Sequence, residues 1–362
     1  MKYILSPFIF CITALQLMAQ EPTTPKAILP GHSNDVDVVA RSSQGFIATG
    51  SSDFKINLYK IDSPYALVKT FGGHMGPITA LAFSKNGKMM ASGGEDRLIQ
   101  LWDSTMRTAA RLEMHKDRVN FLIFDNTGRY LYSGSDDKTM LIWDTKTGKN
   151  IKTIINTQPI SAIAPTTDMK MIYIAGSEPK IKLMNVMTGQ VAKSLDGHTD
   201  AVNDIAITPD GKTMISGSND KTARVWNLAT GKQTRILPVD CWKVLTVSIS
   251  DDGKYASTGC NDGSIKIWEL ESGKLIHSIF NPMGKARNVI FGKTTQEVLA
   301  AFMLNEGSDF GLRVYDSKIT LTPVNVSIKP TTIATDSVKK VVPTGVKPAV
   351  TPSKIAPIKP KQ

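Results

Sequence analysis

One spacing governs what this chain can fold into. Bulky residues recur at Tyr59, Trp102, Trp143, Met184, Trp226, Trp268 and Tyr315, at intervals of 43, 41, 41, 42, 42 and 47 residues. An acid stands six positions before each: Asp53, Asp96, Asp137, Glu178, Asp220, Asp262 and Asp309. A hydroxyl residue stands ten positions before five of them, at Thr49, Ser92, Ser133, Ser216 and Thr258. His32, His74, His115 and His198 lie 27 or 28 positions ahead of their marks, three of them directly after a glycine (Gly31, Gly73, Gly197). A unit of about 40 residues cannot bury its apolar surface alone, so the units must stack.

Each unit carries strand chemistry. Residues 78–83, 89–93 and 98–102 are β-prone runs, split by turns at 85–88 and at Glu95-Asp96. Later units repeat the first turn as Asp210-Gly211-Lys212 and Asp252-Gly253-Lys254. A further run, such as 233–237, follows a Thr-Gly-Lys turn at 230–232. That makes four strands per unit, joined by hairpin turns.

The Gly-His, Ser/Thr, Asp and Trp-Asp landmarks (Trp102-Asp103, Trp143-Asp144) resemble the WD-repeat β-propeller family. The resemblance covers residues 26–316. It implies an all-β fold, a seven-bladed propeller of four-stranded antiparallel blades. It also implies a bracing role for the repeated polar residues, because both ring nitrogens of a buried histidine need partners. The expected chains are His74-Ser92-Asp96-Trp102, His115-Ser133-Asp137-Trp143 and His198-Ser216-Asp220-Trp226.

The departures fall in particular blades. The first ends in Tyr59. The fourth, about 156–184, has Asn156 and Met184 where histidine and tryptophan are expected. The sixth has Asp240 and the seventh Pro282 at the histidine position. The seventh also holds about five extra residues near Leu304 to Asp309, between its second and third strands. The repeat begins one strand before its first Gly-His. Residues 26–29 are therefore expected to form the outer strand of the seventh blade and close the ring, which removes exposed sheet edges. The rival closing strand is 319–324.

The two ends differ from this middle. Lys2 and a mostly apolar stretch from Tyr3 to Met18, with Ala19 after it, read as a secretory signal peptide over 1–20. Pro7, Thr13 and Gln16 interrupt that stretch, so it is too short to span a bilayer. Residues 317–362 hold seven prolines, eight lysines, one acid (Asp336) and no aromatic residue. Such a segment cannot bury enough surface to offset its ordering entropy, so a disordered tail is expected. It carries +7 of the formal net charge of +11, leaving +4 for residues 1–316. The basic balance therefore does not mark a nucleic-acid-binding fold. The lysines have no interleaved aromatic residues, and no nucleic-acid partner is expected. The expected location is exported, either periplasmic or secreted, with no transmembrane span in the mature chain.

Chemistry is sparse. Four of the five histidines belong to the repeat, and His277 is expected on the surface of an outer strand. No phosphate loop or nucleophile elbow occurs. No enzyme activity, cofactor or metal is expected; carboxylate chemistry in a central channel stays open. With three cysteines the chain is not a disulfide scaffold. Cys241 and Cys260 fall, by the resemblance, in two loops on one face of the sixth blade. They are there either as a disulfide that replaces the missing histidine brace or as two small buried residues.

In propellers of this family the face carrying the Gly-His loops commonly binds protein segments. Its exposed positions fall three and five residues after the histidine and one before the turn acid. They map among others to Asp35, Asp37, Glu95, Arg118, Asp136, Lys243, Lys285 and Arg287, with acids toward the first three blades and bases toward the last two. Trp242 is the one tryptophan the repeat leaves unexplained. It is either a contact residue or loop packing; aromatics and arginine are enriched at binding hot spots. The leading expectation is a monomeric, non-enzymatic scaffold for protein partners in the envelope or secreted space. The alternatives are a cell-wall or glycan-binding propeller docking anionic polymer through its tail, and a propeller hydrolase with an unrecognised carboxylate site.

Overall fold

The computed structural model describes residues 21–61, 65–304 and 309–319. The expected signal segment 1–20 lies outside them, as does the expected tail beyond Ile319. Among the described residues, 28 strands form seven sheets of four, each antiparallel. The second blade is representative, with strands Ile78–Phe83, Met89–Gly94, Ile99–Asp103 and Thr108–Leu112 from inside to outside.

Burial follows from stacking. The middle strands lie between two neighbouring blades, so both of their faces are covered. Ile99 and Leu101 of the second blade share a core with Val119, Leu122 and Phe124 of the third. The outer strand Thr108–Leu112 is mostly exposed and buries only Leu112. A glycine in the second strand allows the close approach. A Cβ on Gly93 would lie 2.7 Å from Val119 Cγ1, and one on Gly134 would lie 2.7 Å from Ile160 Cγ2.

The ring closes through the N-terminal strand Ala27–Leu29. It pairs antiparallel with Leu312–Asp316, matching Ala27 to Val314 and Leu29 to Leu312. Of the rival closing segment 319–324, only Ile319 lies among the described residues. Thr23 adds a tie to the sixth blade: its N–H donates to Phe280 O at 2.8 Å, and its hydroxyl accepts from Phe280 N at 3.1 Å. The extra residues of the seventh blade fall between its second strand, Glu297–Leu304, and its third.

One boundary and one burial expectation shift. The expected tail begins too early at 317. Ser317 is buried and bonds to the backbone of Thr295 and Gln296, and Ile319 sits in the seventh-blade core. His277 stands on the outer strand Leu275–Phe280, but half-buried rather than on the surface. Burial and the Lys318 charge lower its pKa. The sequence reading missed both because the chain folds back over the blade edge after its last strand.

Candidate functional site

The repeated polar residues meet on one face. His74 Nε2 is 2.7 Å from Ser92 Oγ, and its Nδ1 is 3.0 Å from Asp96. The Trp102 indole N–H donates to the same Ser92 oxygen at 2.9 Å. The third and fifth blades repeat this geometry. His115 lies 2.7 Å from Ser133 and 2.8 Å from Asp137, and Trp143 donates to Ser133 at 2.9 Å. His198 lies 2.7 Å from both Ser216 and Asp220, and Trp226 donates to Ser216 at 2.8 Å. His32 bonds Thr49 and Asp53 in the first blade, while the Tyr59 hydroxyl donates to Pro30 O instead.

The aspartate is the hub. Asp137 accepts from His115, from the N–H of Lys116 and from both donors of Thr139. Burial alone would raise such a carboxyl, but these donors outweigh it, and Asp96, Asp137 and Asp220 all fall below their ordinary range. Asp53 is held at about 2 in the same way. With both nitrogens of each histidine engaged, the arrangement braces the loop and is not aimed at a substrate.

Blades without the histidine use a lysine or arginine two positions before the mark. In the fourth, Lys182 Nζ reaches Thr157 at 2.7 Å, Glu178 at 2.8 Å and Asn156 at 3.2 Å. In the sixth, Lys266 pairs with Asp240 at 2.8 Å. In the seventh, Arg313 is buried and bonds the carbonyls of Gly311 and Asp309. The sixth blade also holds a Cys241–Cys260 disulfide with Cα atoms 6.3 Å apart. It ties the loop before the inner strand to the last residue of the second strand, close to the two loops that a histidine–aspartate pair joins elsewhere. Trp242 beside it is 69% exposed, with Lys221 Nζ 4.3 Å above its ring.

The inner strands line a central cavity of about 570 Å³. Each inner strand shifts register at one residue, giving a ring of bulged positions: Asp37, Thr79, Asn120, Ser161, Asn203, Leu245 and Arg287. Bulges re-aim side chains, and here they staple blades together. Thr79 donates to Val119 O at 2.5 Å, Asn120 to Ile160 O at 2.9 Å, and Asn203 to Val244 O at 2.7 Å. One residue further in, Asp204 accepts from Thr246 Oγ1 at 3.0 Å and from the N–H groups of Val247 and Ile205, both at 2.9 Å. Burial in the cavity wall raises its pKa to about 6 despite these donors.

The model of the WD domain, G-beta repeat family matches residues 23–60, 65–103, 106–144, 189–227 and 231–269, which together make up more than half of the chain. The chain belongs to the WD40 family. Curated relatives match over short segments. Serine-threonine kinase receptor-associated protein of Bos taurus is 32% identical over 87 residues, covering 21% of this chain and 25% of that protein. Nuclear distribution protein nudF of Aspergillus terreus is 35% identical over 101 residues, 22% of each chain. COMPASS component SWD3 of Saccharomyces cerevisiae is 29% identical over 83 residues, 23% of this chain and 26% of that protein. The chain thus matches about a quarter of the length of these relatives. The unmatched WD40 units are the fourth and seventh blades, where the landmark residues depart furthest from the pattern.

On this WD40 face the expected surface residues separate. Lys243, Lys285 and Trp242 are exposed, as is Glu95. Asp35 is half-buried and accepts from the N–H of Leu304 at 3.0 Å. Asp136 accepts from Asn120 at 2.7 Å. Asp37 corrects the expectation, because it is buried rather than displayed. It accepts from Ser52 at 2.6 Å and faces Arg287 at 3.7 Å. Ring closure brings the seventh blade beside the first, so the acidic and basic groups meet instead of standing apart. Asp204 escaped the sequence reading. Its only sequence signal was its place beside Asn203, five residues after His198.

Proposed function

We propose that this protein is an exported, non-enzymatic WD40 scaffold that holds protein partners on the face carrying the Gly-His loops. The single observation behind this reading is Trp242. It is exposed on that face, Lys221 stacks over it, and the neighbouring disulfide holds its loop. A large, preorganised aromatic surface contributes contact area with little ordering entropy. The Arg118 and Arg287 guanidiniums lie on the same face at the channel mouth. Export is supported by the character of residues 1–20 and by the disulfide, since such bonds persist in oxidising compartments.

Affinity capture from native envelope extract, with the full chain as bait, tests the reading. Trp242→Ala is expected to lower partner recovery at least tenfold, and Arg287→Ala to lower it further. Equal recovery by both variants would move the site off this face. Cell fractionation and N-terminal sequencing of the native protein test export; an intact Met1 in a cytoplasmic fraction would refute it.

A further inference from the structure

Two guanidinium groups stand at the mouth of the central cavity with too few acceptors. Arg287 comes from the inner strand of the seventh blade, Arg118 from the residue before the inner strand of the third, and both line the cavity. Arg287 Nε is 3.7 Å from Asp37 Oδ1, beyond hydrogen-bond range. Asp37 has already committed an oxygen to Ser52. Arg118 Nη1 is 3.4 Å from Glu95, and Arg118 Nε is buried without a partner among the described residues. Burial lowers the Arg287 pKa, and Arg118 adds like-charge repulsion against the opposing pull of Asp37. A buried donor left unmatched is costly and calls for an acceptor.

We propose that this mouth binds one carboxylate, carried by an aspartate or glutamate side chain of a protein segment, between Arg118 and Arg287. The proposal rests on the scaffold reading and names the chemistry of its partner. Guanidinium forks match a planar carboxylate in geometry and charge. A lysine or arginine of the partner would meet two like charges. A phosphate dianion would face Asp37 and Asp136 with twice the repulsion of a carboxylate. Asp204, deeper in the cavity, already has three donors and needs no cation.

The test follows the arginine side-chain N–H resonances of the full chain by NMR. The probes are a blocked acetyl-Gly-Glu-Gly-amide peptide, its glutamine counterpart and inorganic phosphate. Arg118→Lys and Arg287→Lys assign the two signals. Expected are saturable shifts of both with the glutamate peptide, none with the glutamine peptide, and at least tenfold weaker binding in Arg118→Gln and Arg287→Gln. Where Arg287→Gln unfolds because Asp37 is left unpaired, the double variant Asp37→Asn/Arg287→Gln replaces it. Absent shifts, equal shifts with glutamine, or tighter binding of phosphate would overturn the proposal. Capture of a partner that survives Arg118→Gln and Arg287→Gln but fails with Trp242→Ala would overturn the carboxylate site and leave the scaffold reading standing. Carboxylate binding with no partner captured would do the reverse.

Discussion

At the residue scale, the hydroxyl in each bracing chain does more than its size suggests. Ser92 Oγ serves both the His74 imidazole and the Trp102 indole, and all three side chains are buried. Ser92→Ala leaves two polar groups unmatched at about 1–3 kcal/mol each. A loss of about 2–4 kcal/mol in denaturant unfolding is expected, with Ser133→Ala alike; a loss under 1 kcal/mol would mean that water restores the bonds. Asp204 behaves in the opposite sense. Its folded pKa of about 6 lies above the ordinary 3.8, so the folded state holds the proton more tightly. That contribution is present below about pH 4 and lost as the pH rises through about 6. Asp204→Asn removes it. The stability of the variant relative to the native chain should therefore rise between pH 4 and 6, on the order of 2–3 kcal/mol. A difference constant across that range would refute the assignment.

At the scale of elements, loops that share a position in the repeat are held by different chemistry in different blades. Histidine with aspartate braces blades one, two, three and five, lysine serves in four and six, and arginine in seven. In blades one to five the donor ties the loop before the inner strand to the turn after the second, whereas in blade six Lys266 reaches only that loop, at Pro238 and Asp240, and in blade seven Arg313 reaches only that turn, at Gly311 and Asp309. In the sixth blade the Cys241–Cys260 bond is an additional tie across a separation of 19 residues. Loop-closure entropy puts its contribution at about 3 kcal/mol. Cys241→Ser and the Cys241→Ser/Cys260→Ser pair should each lower the unfolding free energy by about 2–3 kcal/mol, and reductant should shift the native chain toward the double variant. Identical native and variant curves without reductant would show the bond absent in solution.

For the whole molecule, closure is the governing event. The strand Ala27–Leu29 supplies the outer edge of a blade whose other strands lie some 255 to 290 residues later, an antiparallel latch between the two ends of the repeat. Lys26 adds an ion pair to Glu297, and Leu29 is buried at 2% exposure. Deleting 21–30 exposes the edge of Leu312–Asp316 and empties part of the core shared by Leu29, Val36 and Val314. A melting temperature lowered by at least 10 °C is expected in a thermal scan. An unchanged value would mean that another segment closes the ring.

Through its repeat spacing and the WD-repeat resemblance that this spacing carries, the sequence determined the blade count, the strand order within each blade, the histidine-centred braces and the closing strand. These follow from spacing, because identical units that bury each other must place identical residues at identical points. His74, Ser92, Asp96 and Trp102 could be named as a set from their recurring intervals together with the resemblance to the WD-repeat family. It did not determine which polar residues face water. Asp35 occupies the same repeat position as the exposed Lys243 and Lys285, and Asp37 the same position as the half-buried Thr79 and Asn120, yet closure sets Asp37 under Arg287 and Asp35 against Leu304. Nor did it reveal the bulge ring, Asp204 or the burial of Ser317 and Ile319. Those depend on contacts between blades and on the path of the chain past its last strand. Only the closed ring brings such groups together, and burial and charge pairing are properties of that arrangement rather than of any one repeat.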